Sequence, residues 1–127
     1  MDENEFTACV EAALLDLPTQ FREACQGVSI VASTLPDEDT LKALYLSEPL
    51  ELLGLYHGVS LTRRSIYDLP TRPDTILIYR LPILEYAKSN GMPVRDVVRH
   101  VLVHEIGHHF GFSDEDMEAI ERGPGTD

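Results

Sequence analysis

VVRHVLVHEIGHHFGFSD (Val97–Asp114) is the stretch that decides the fold of this chain. Within it, His104 and His108 are four residues apart, and Glu105 follows the first of them directly. On an α-helix, residues four apart are separated by about 40° around the axis and about 6 Å along it. Both imidazoles therefore project from one helix face and can hold one metal ion, and two neutral imidazoles suit Zn²⁺. Glu105 flanks the same face, where it can take a proton from a water on that ion.

The residues after the histidine pair supply a candidate third ligand. A catalytic zinc site uses three protein ligands and keeps its fourth position for water. Gly111 can adopt a left-handed conformation and turn the chain at the helix end, which would bring Asp114 back to the metal. We prefer Asp114 because its spacing from Gly111 is specific, and Glu118 on a predicted following helix is the alternative. A chance match to the whole pattern is roughly a 1-in-4,000 event for this composition.

The segment HEIGHHFGFSDED resembles a family of small, single-domain bacterial zincin-like metallopeptidases, the minimal metalloproteases, whose pattern is H-E-x-G-H-H-x-G-x-x-D-E. The likeness covers most of residues 50–122, through LLGLYHGVSLTRR (Leu52–Arg64) and TILIYR (Thr75–Arg80). The resemblance implies a compact α+β fold, one Zn²⁺, and Glu105 as the general base of peptide hydrolysis. It implies no particular physiological substrate.

The expected architecture is a small mixed β-sheet packed against a long helix that carries the H-E-x-x-H motif. We expect one zincin-like domain over residues 1–122 and a flexible tail over 123–127. The metzincins place a Met-turn well downstream beneath the metal, whereas Met117 is too close to Asp114 for that role. In zincins the strand beside the active-site helix is the sheet edge. By this resemblance we expect a peptide or protein substrate to pair along residues 75–80.

Composition limits the class of partner. The chain has 127 residues and 43% hydrophobic content, which suits one globular domain that buries about two-thirds of its unfolded surface. Its formal net charge of −12 argues against nucleic acid and anionic membranes as partners. The acidic start and the lack of a long apolar run predict a cytoplasmic, bacterial-type protein. Cys9 and Cys25 lack a metal-binding spacing and are expected to be buried and reduced.

Hydrophobic periodicity and turn residues predict the other elements. Apolar residues cover well over half the circumference of the predicted long helix, so we expect it to be buried except for a polar sector at the histidines. The strand over residues 75–80 alternates and is rich in β-branched residues. Predicted helices cover residues 3–16, 19–25, 40–46, 81–89, 92–110 and 114–121, and predicted strands cover residues 28–33, 52–57 and 75–80.

Several polar side chains keep two interpretations. His100 lies four residues before His104, where it either contacts substrate or pairs with an acid on the surface. His109 points about 140° from His104 and is interpreted as structural or supporting, not as a ligand. Further residues are either substrate contacts or ordinary polar groups outside the site: His57, Arg63, Arg64 and Tyr79.

Three functions fit these features. The first is a zinc metallopeptidase. The second is a zinc-binding interaction module, or a zincin that needs a partner to become active, which would bind zinc without turnover. The third is an amide hydrolase acting on a small molecule, which predicts a closed pocket instead of an open groove.

Overall fold

The structure is a computed structural model that describes residues 1–57, 74–111, 113, 115 and 118. It confirms the predicted α+β class, with helices and a three-stranded mixed sheet. Most of the predicted helix over 114–121 lies outside the described residues, although Glu115 and Glu118 are helical. The elements are α1 (Glu3–Leu15), α2 (Thr19–Ala24), β1 (Val28–Ser33), α3 (Glu38–Ala43), a 3₁₀ turn (Pro49–Glu51), β2 (Gly54–His57), β3 (Asp74–Tyr79), α4 (Arg80–Asn90) and α5 (Val94–Phe110).

Two of the described helices, α1 and α3, begin at an aspartate cap. Asp2 and Glu5 form a capping box on α1, in which Asp2 Oδ1 accepts from the Glu5 N–H at 2.8 Å. Helix α3 begins at Glu38, two residues before the predicted start at residue 40. Asp37 caps α3 by accepting from the Thr40 N–H at 2.7 Å, and two acids occupy the first helical turn. Acidic side chains stabilise that position because they face the positive end of the helix dipole.

The sheet has the order β1-β3-β2, with β1 parallel and β2 antiparallel to β3. The expectation that residues 75–80 form the sheet edge is therefore wrong, because β3 is paired on both sides. Its alternating pattern predicts a strand but carries no information about the neighbours of that strand. Ile76 and Ile78 are fully buried, as a central strand requires. Of the described strands, β2 is the edge strand that packs on α5.

Helix α5 is the centre of the hydrophobic core. Its buried face packs on β3 and on α1, and α4 adds a further contact. The core members on α5 are Val97, Val98, Val101, Leu102, Val103 and Ile106. This burial fixes the direction in which the remaining polar sector of α5 faces. None of the helices in the described part of the chain is long and apolar enough to cross a membrane.

Gly54 allows β2 to approach α5 closely. A Cβ atom added at Gly54 would lie 2.5 Å from Val101 Cγ1 and 3.1 Å from the Leu77 carbonyl oxygen. Both separations are below ordinary van der Waals contact, so any side chain here would push β2 away from the helix. The same added atom would lie 3.5 Å from Glu105 Cγ. The edge strand is thus seated directly against the residue predicted to be the general base.

The two cysteines are free and half-buried, whereas the sequence predicts that they are buried. Burial raises the pKa of both Cys9 and Cys25 above that of a free thiol. A raised pKa keeps a thiol protonated near neutral pH and lowers its nucleophilicity. These residues therefore act as small core-facing side chains.

Candidate active site

The predicted turn at the end of α5 is present. Gly111 adopts φ +76°, ψ +28°, which is the left-handed conformation, and its N–H donates to the His108 carbonyl at 3.1 Å. A glycine takes this conformation without the steric cost that a Cβ would add. The chain therefore leaves the helix directly after the histidines. Asp114, the preferred third ligand, lies outside the described residues.

Three histidines form a column along one face of α5. The ring centroids of His104 and His108 are 5.4 Å apart, and those of His100 and His104 are 5.5 Å apart. His104 is half-buried, whereas His100 and His108 are exposed. The column confirms that the two motif histidines share a face. It also means that helical spacing alone would allow a metal ion at either of two neighbouring pairs.

Glu105 distinguishes between these two pairs. The residue is 9% exposed, and its Oε2 lies 3.4 Å from His108 Nδ1. Burial raises the pKa of Glu105, because an ionised carboxylate loses hydration, and the nearby imidazoles of His108 and His104 oppose that rise. A carboxylate with a raised pKa is suited to proton transfer near neutral pH. It lies beside the pair His104–His108, one turn beyond His100.

The main chain of β2 also reaches Glu105. The Leu53 carbonyl accepts from the Tyr79 N–H at 3.0 Å, which makes these two residues a hydrogen-bonded pair of the antiparallel ladder. Such pairs alternate, so the N–H and C=O groups of Gly54 and Tyr56 point away from β3. The Tyr56 main chain hydrogen-bonds the Glu105 carboxylate, as donor through its N–H. The outer edge of β2 therefore faces the candidate base.

The side chain of Tyr56 belongs to a largely buried polar cluster with Asp74 and His109. The Tyr56 hydroxyl donates to Asp74 Oδ2 at 2.9 Å and lies 2.9 Å from His109 Nδ1. His109 Nδ1 is 3.0 Å from the same Asp74 oxygen, and both Asp74 and His109 are buried. His109 is thus turned away from the metal-binding face, as its helical position predicts. Asp74 and Tyr56 were missed, because no local pattern signals a contact between residues so distant in sequence.

Two residues considered as substrate contacts are directed away from α5. His57 ends β2, is exposed, and alternates to the sheet face opposite Tyr56. Tyr79 is buried on the face of β3 opposite Ile78, and burial followed by the charge of Asp37 raises its pKa. Neither the Tyr79 hydroxyl nor the His57 imidazole therefore lies at the pair His104–His108. Arg63 and Arg64 lie outside the described residues.

The described residues supply no third metal ligand for the histidine pair. Within them, no three His, Cys, Asp or Glu side chains are grouped so that they could hold a metal ion. Glu118 is described as helical and exposed, and it forms no such group with His104 and His108.

A long helix that presents H-E-x-x-H beside an antiparallel strand of a small mixed sheet is typical of the zincin class of protein. The comparison with protein families gives the same class. A sequence model of the zincin-like metallopeptidase family matches residues 25–123, and the chain belongs to this family. No curated protein matches the chain. The family membership confirms the resemblance of the sequence to small zincin-like metallopeptidases, which bind zinc in general.

Proposed function

We propose that the protein is a zinc-dependent peptidase whose general base is Glu105. The observation that carries this proposal is a buried carboxylate held against one histidine of the H-E-x-x-H pair and against the main chain of the edge strand. His104 and His108 fit a zinc ion through their shared helix face, and Asp114 would complete the ligand set. The imidazoles of His104 and His108 are polar and at least partly exposed, which suits a metal site that must admit substrate and water.

The chemistry divides between the metal and the protein. When bound, Zn²⁺ acts as a Lewis acid that polarises a carbonyl and makes water easier to deprotonate. Glu105 takes the proton from the attacking water and then delivers it to the leaving amine. Its low exposure limits contact with bulk solvent, and the Tyr56 N–H orients the carboxylate. The neighbouring imidazoles favour the ionised form that a base requires.

We place the substrate along the outer edge of β2, in place of the strand over residues 75–80. The N–H and C=O groups of Gly54 and the C=O group of Tyr56 point outward from the described sheet, while the Tyr56 N–H is bound to Glu105. An extended peptide can hydrogen-bond to such an edge in the manner of an added strand. This arrangement brings its scissile bond past the helix face that carries His104 and His108.

The test is hydrolysis of a diverse peptide mixture by the zinc-loaded protein, with new termini identified by mass spectrometry. We expect cleavage that disappears when a chelator removes the metal and returns when zinc is restored. Zinc binding without cleavage would contradict the peptidase proposal and support an interaction module or a partner-dependent zincin. Cleavage of small amides but of no peptide would support the third function, an amide hydrolase acting on a small molecule.

The cytoplasmic location and the absence of nucleic-acid and membrane partners stay predictions of the sequence.

A further inference from the structure

We propose that Tyr56, Asp74 and His109 are positioning residues that hold the edge strand against Glu105 and thereby orient the general base. This inference rests on the proposed function for its kinetic consequence. The three side chains come from three different elements, β2, β3 and α5. They meet at one carboxylate oxygen, so the cluster fixes the distance between the edge strand and the helix.

The proton arrangement in the cluster follows from what each group can donate. Asp74, as a carboxylate, only accepts hydrogen bonds. The Tyr56 hydroxyl donates to Asp74 Oδ2 at 2.9 Å, and His109 Nδ1 lies 3.0 Å from the same oxygen. A proton on His109 Nδ1 makes both contacts attractive. Asp74 therefore binds the strand residue and the helix residue at once, and burial of the cluster strengthens both hydrogen bonds.

Tyr56 connects the cluster to the general base, Glu105. The side chain of Tyr56 is bound in the cluster, while its main-chain N–H is hydrogen-bonded to Glu105. His109 follows His108 directly, so the cluster also holds the last turn of α5. Glu105 lies one turn earlier on the same helix. Gly54 allows close approach of the strand, and the cluster sets its position. A shift of Tyr56 would therefore release the Glu105 carboxylate from its fixed orientation.

The test uses substitutions at Asp74, because this residue is remote in sequence from the metal-binding motif. Asp74→Ala removes the shared acceptor, whereas Asp74→Asn can place its carbonyl oxygen where Oδ2 accepts both hydrogen bonds. For the zinc-loaded Asp74→Ala protein we expect kcat to fall by roughly 10- to 100-fold, as for supporting residues of metal sites. We expect KM and zinc affinity to stay within about threefold of wild type, because neither substrate nor metal touches Asp74. Asp74→Asn should recover most of kcat.

A second measurement, amide hydrogen exchange, does not depend on catalytic activity. In the metal-free protein, amide hydrogen exchange at Tyr56 should become at least about tenfold faster in Asp74→Ala, while the Leu55 amide, which points into the sheet, stays protected. Glu105→Ala should have the same effect on Tyr56. The matched control is Ile83→Val, which removes one methylene from the fully buried core on α4 and should change neither kcat nor the ratio of the two exchange rates. If Asp74→Ala fails to fold, Tyr56→Phe removes only the hydroxyl and takes its place.

The inference is overturned if folded Asp74→Ala keeps the wild-type kcat and the wild-type Tyr56 exchange rate. It is also overturned if Asp74→Asn is as impaired as Asp74→Ala in both measurements. A wild-type protein that hydrolyses no peptide, yet shows the selective change at the Tyr56 amide, would refute the peptidase proposal. That same result would support the positioning of Glu105 by the cluster.

Discussion

The Glu105→Gln variant should bind zinc as wild type does and lose hydrolysis almost completely. Glutamine keeps the size and hydrogen-bonding oxygen of the side chain but cannot take a proton from water. General base catalysis contributes about 10²- to 10⁴-fold, so we expect kcat to fall by at least about a hundredfold. Steady-state kinetics on a peptide found in the cleavage screen, together with zinc content, measure this effect. The matched control is Glu11→Gln, the same change at an exposed position of α1, which should leave kcat unchanged.

Stability distinguishes lost chemistry from lost folding in this variant. Burial raises the pKa of Glu105 in the metal-free protein, so the wild type loses stability as the pH rises from the pKa of an unfolded glutamate to that of Glu105. Glutamine never ionises. The free energy of unfolding of metal-free Glu105→Gln should therefore equal or exceed that of wild type near neutral pH, and the difference should vanish at acidic pH, where the wild-type carboxyl is protonated. An active Glu105→Gln variant would contradict the assignment of the base.

The second large effect is expected for His108→Ala, which should weaken zinc binding by more than about 100-fold. Removal of a direct ligand costs more than removal of a supporting residue, for which the loss is about 10- to 100-fold. The matched control is His100→Ala. His100 has the same spacing from His104 and nearly the same ring separation, but it lies on the other side of His104 from the Glu105 contact. Its removal should leave zinc affinity within a few-fold of wild type.

Competition of each variant with a chelator of known zinc affinity measures this difference directly. Equal losses in His100→Ala and His108→Ala would indicate that the metal is not confined to the motif pair. A loss in His100→Ala alone would place the metal one turn too early for Glu105 to act on it. Either result would contradict the proposed site.

The long helix and its histidine face could be predicted from the sequence because they depend on local periodicity. Four-residue spacing determines which side chains share a helix face, whatever packs around them. The same holds for the left-handed Gly111, since a glycine after a periodic apolar segment is a common helix end. The boundaries of α5 differ from the prediction only at its start, where Pro93 precedes the first helical residue.

The neighbours of each strand could not be predicted in this way. The alternation in residues 75–80 indicates one buried face, but pairing on the two sides of β3 depends on β1 and β2, which are distant in sequence. For the same reason the cluster of Tyr56, Asp74 and His109 could not be predicted from the sequence. In the sequence, Asp74 precedes the predicted strand over residues 75–80 and lies among prolines and charged residues, where a carboxylate ordinarily faces solvent.

The most direct test of the central claim is a crystal structure of the zinc-loaded protein with anomalous diffraction recorded at the zinc absorption edge. The account predicts one strong peak on the exposed face of α5, with nitrogen atoms of His104 and His108 at about 2.0–2.1 Å and an Asp114 oxygen at about 2.0–2.2 Å. It also predicts the Glu105 carboxylate beside the open coordination position. A peak between His100 and His104, or no peak at this helix, would contradict it.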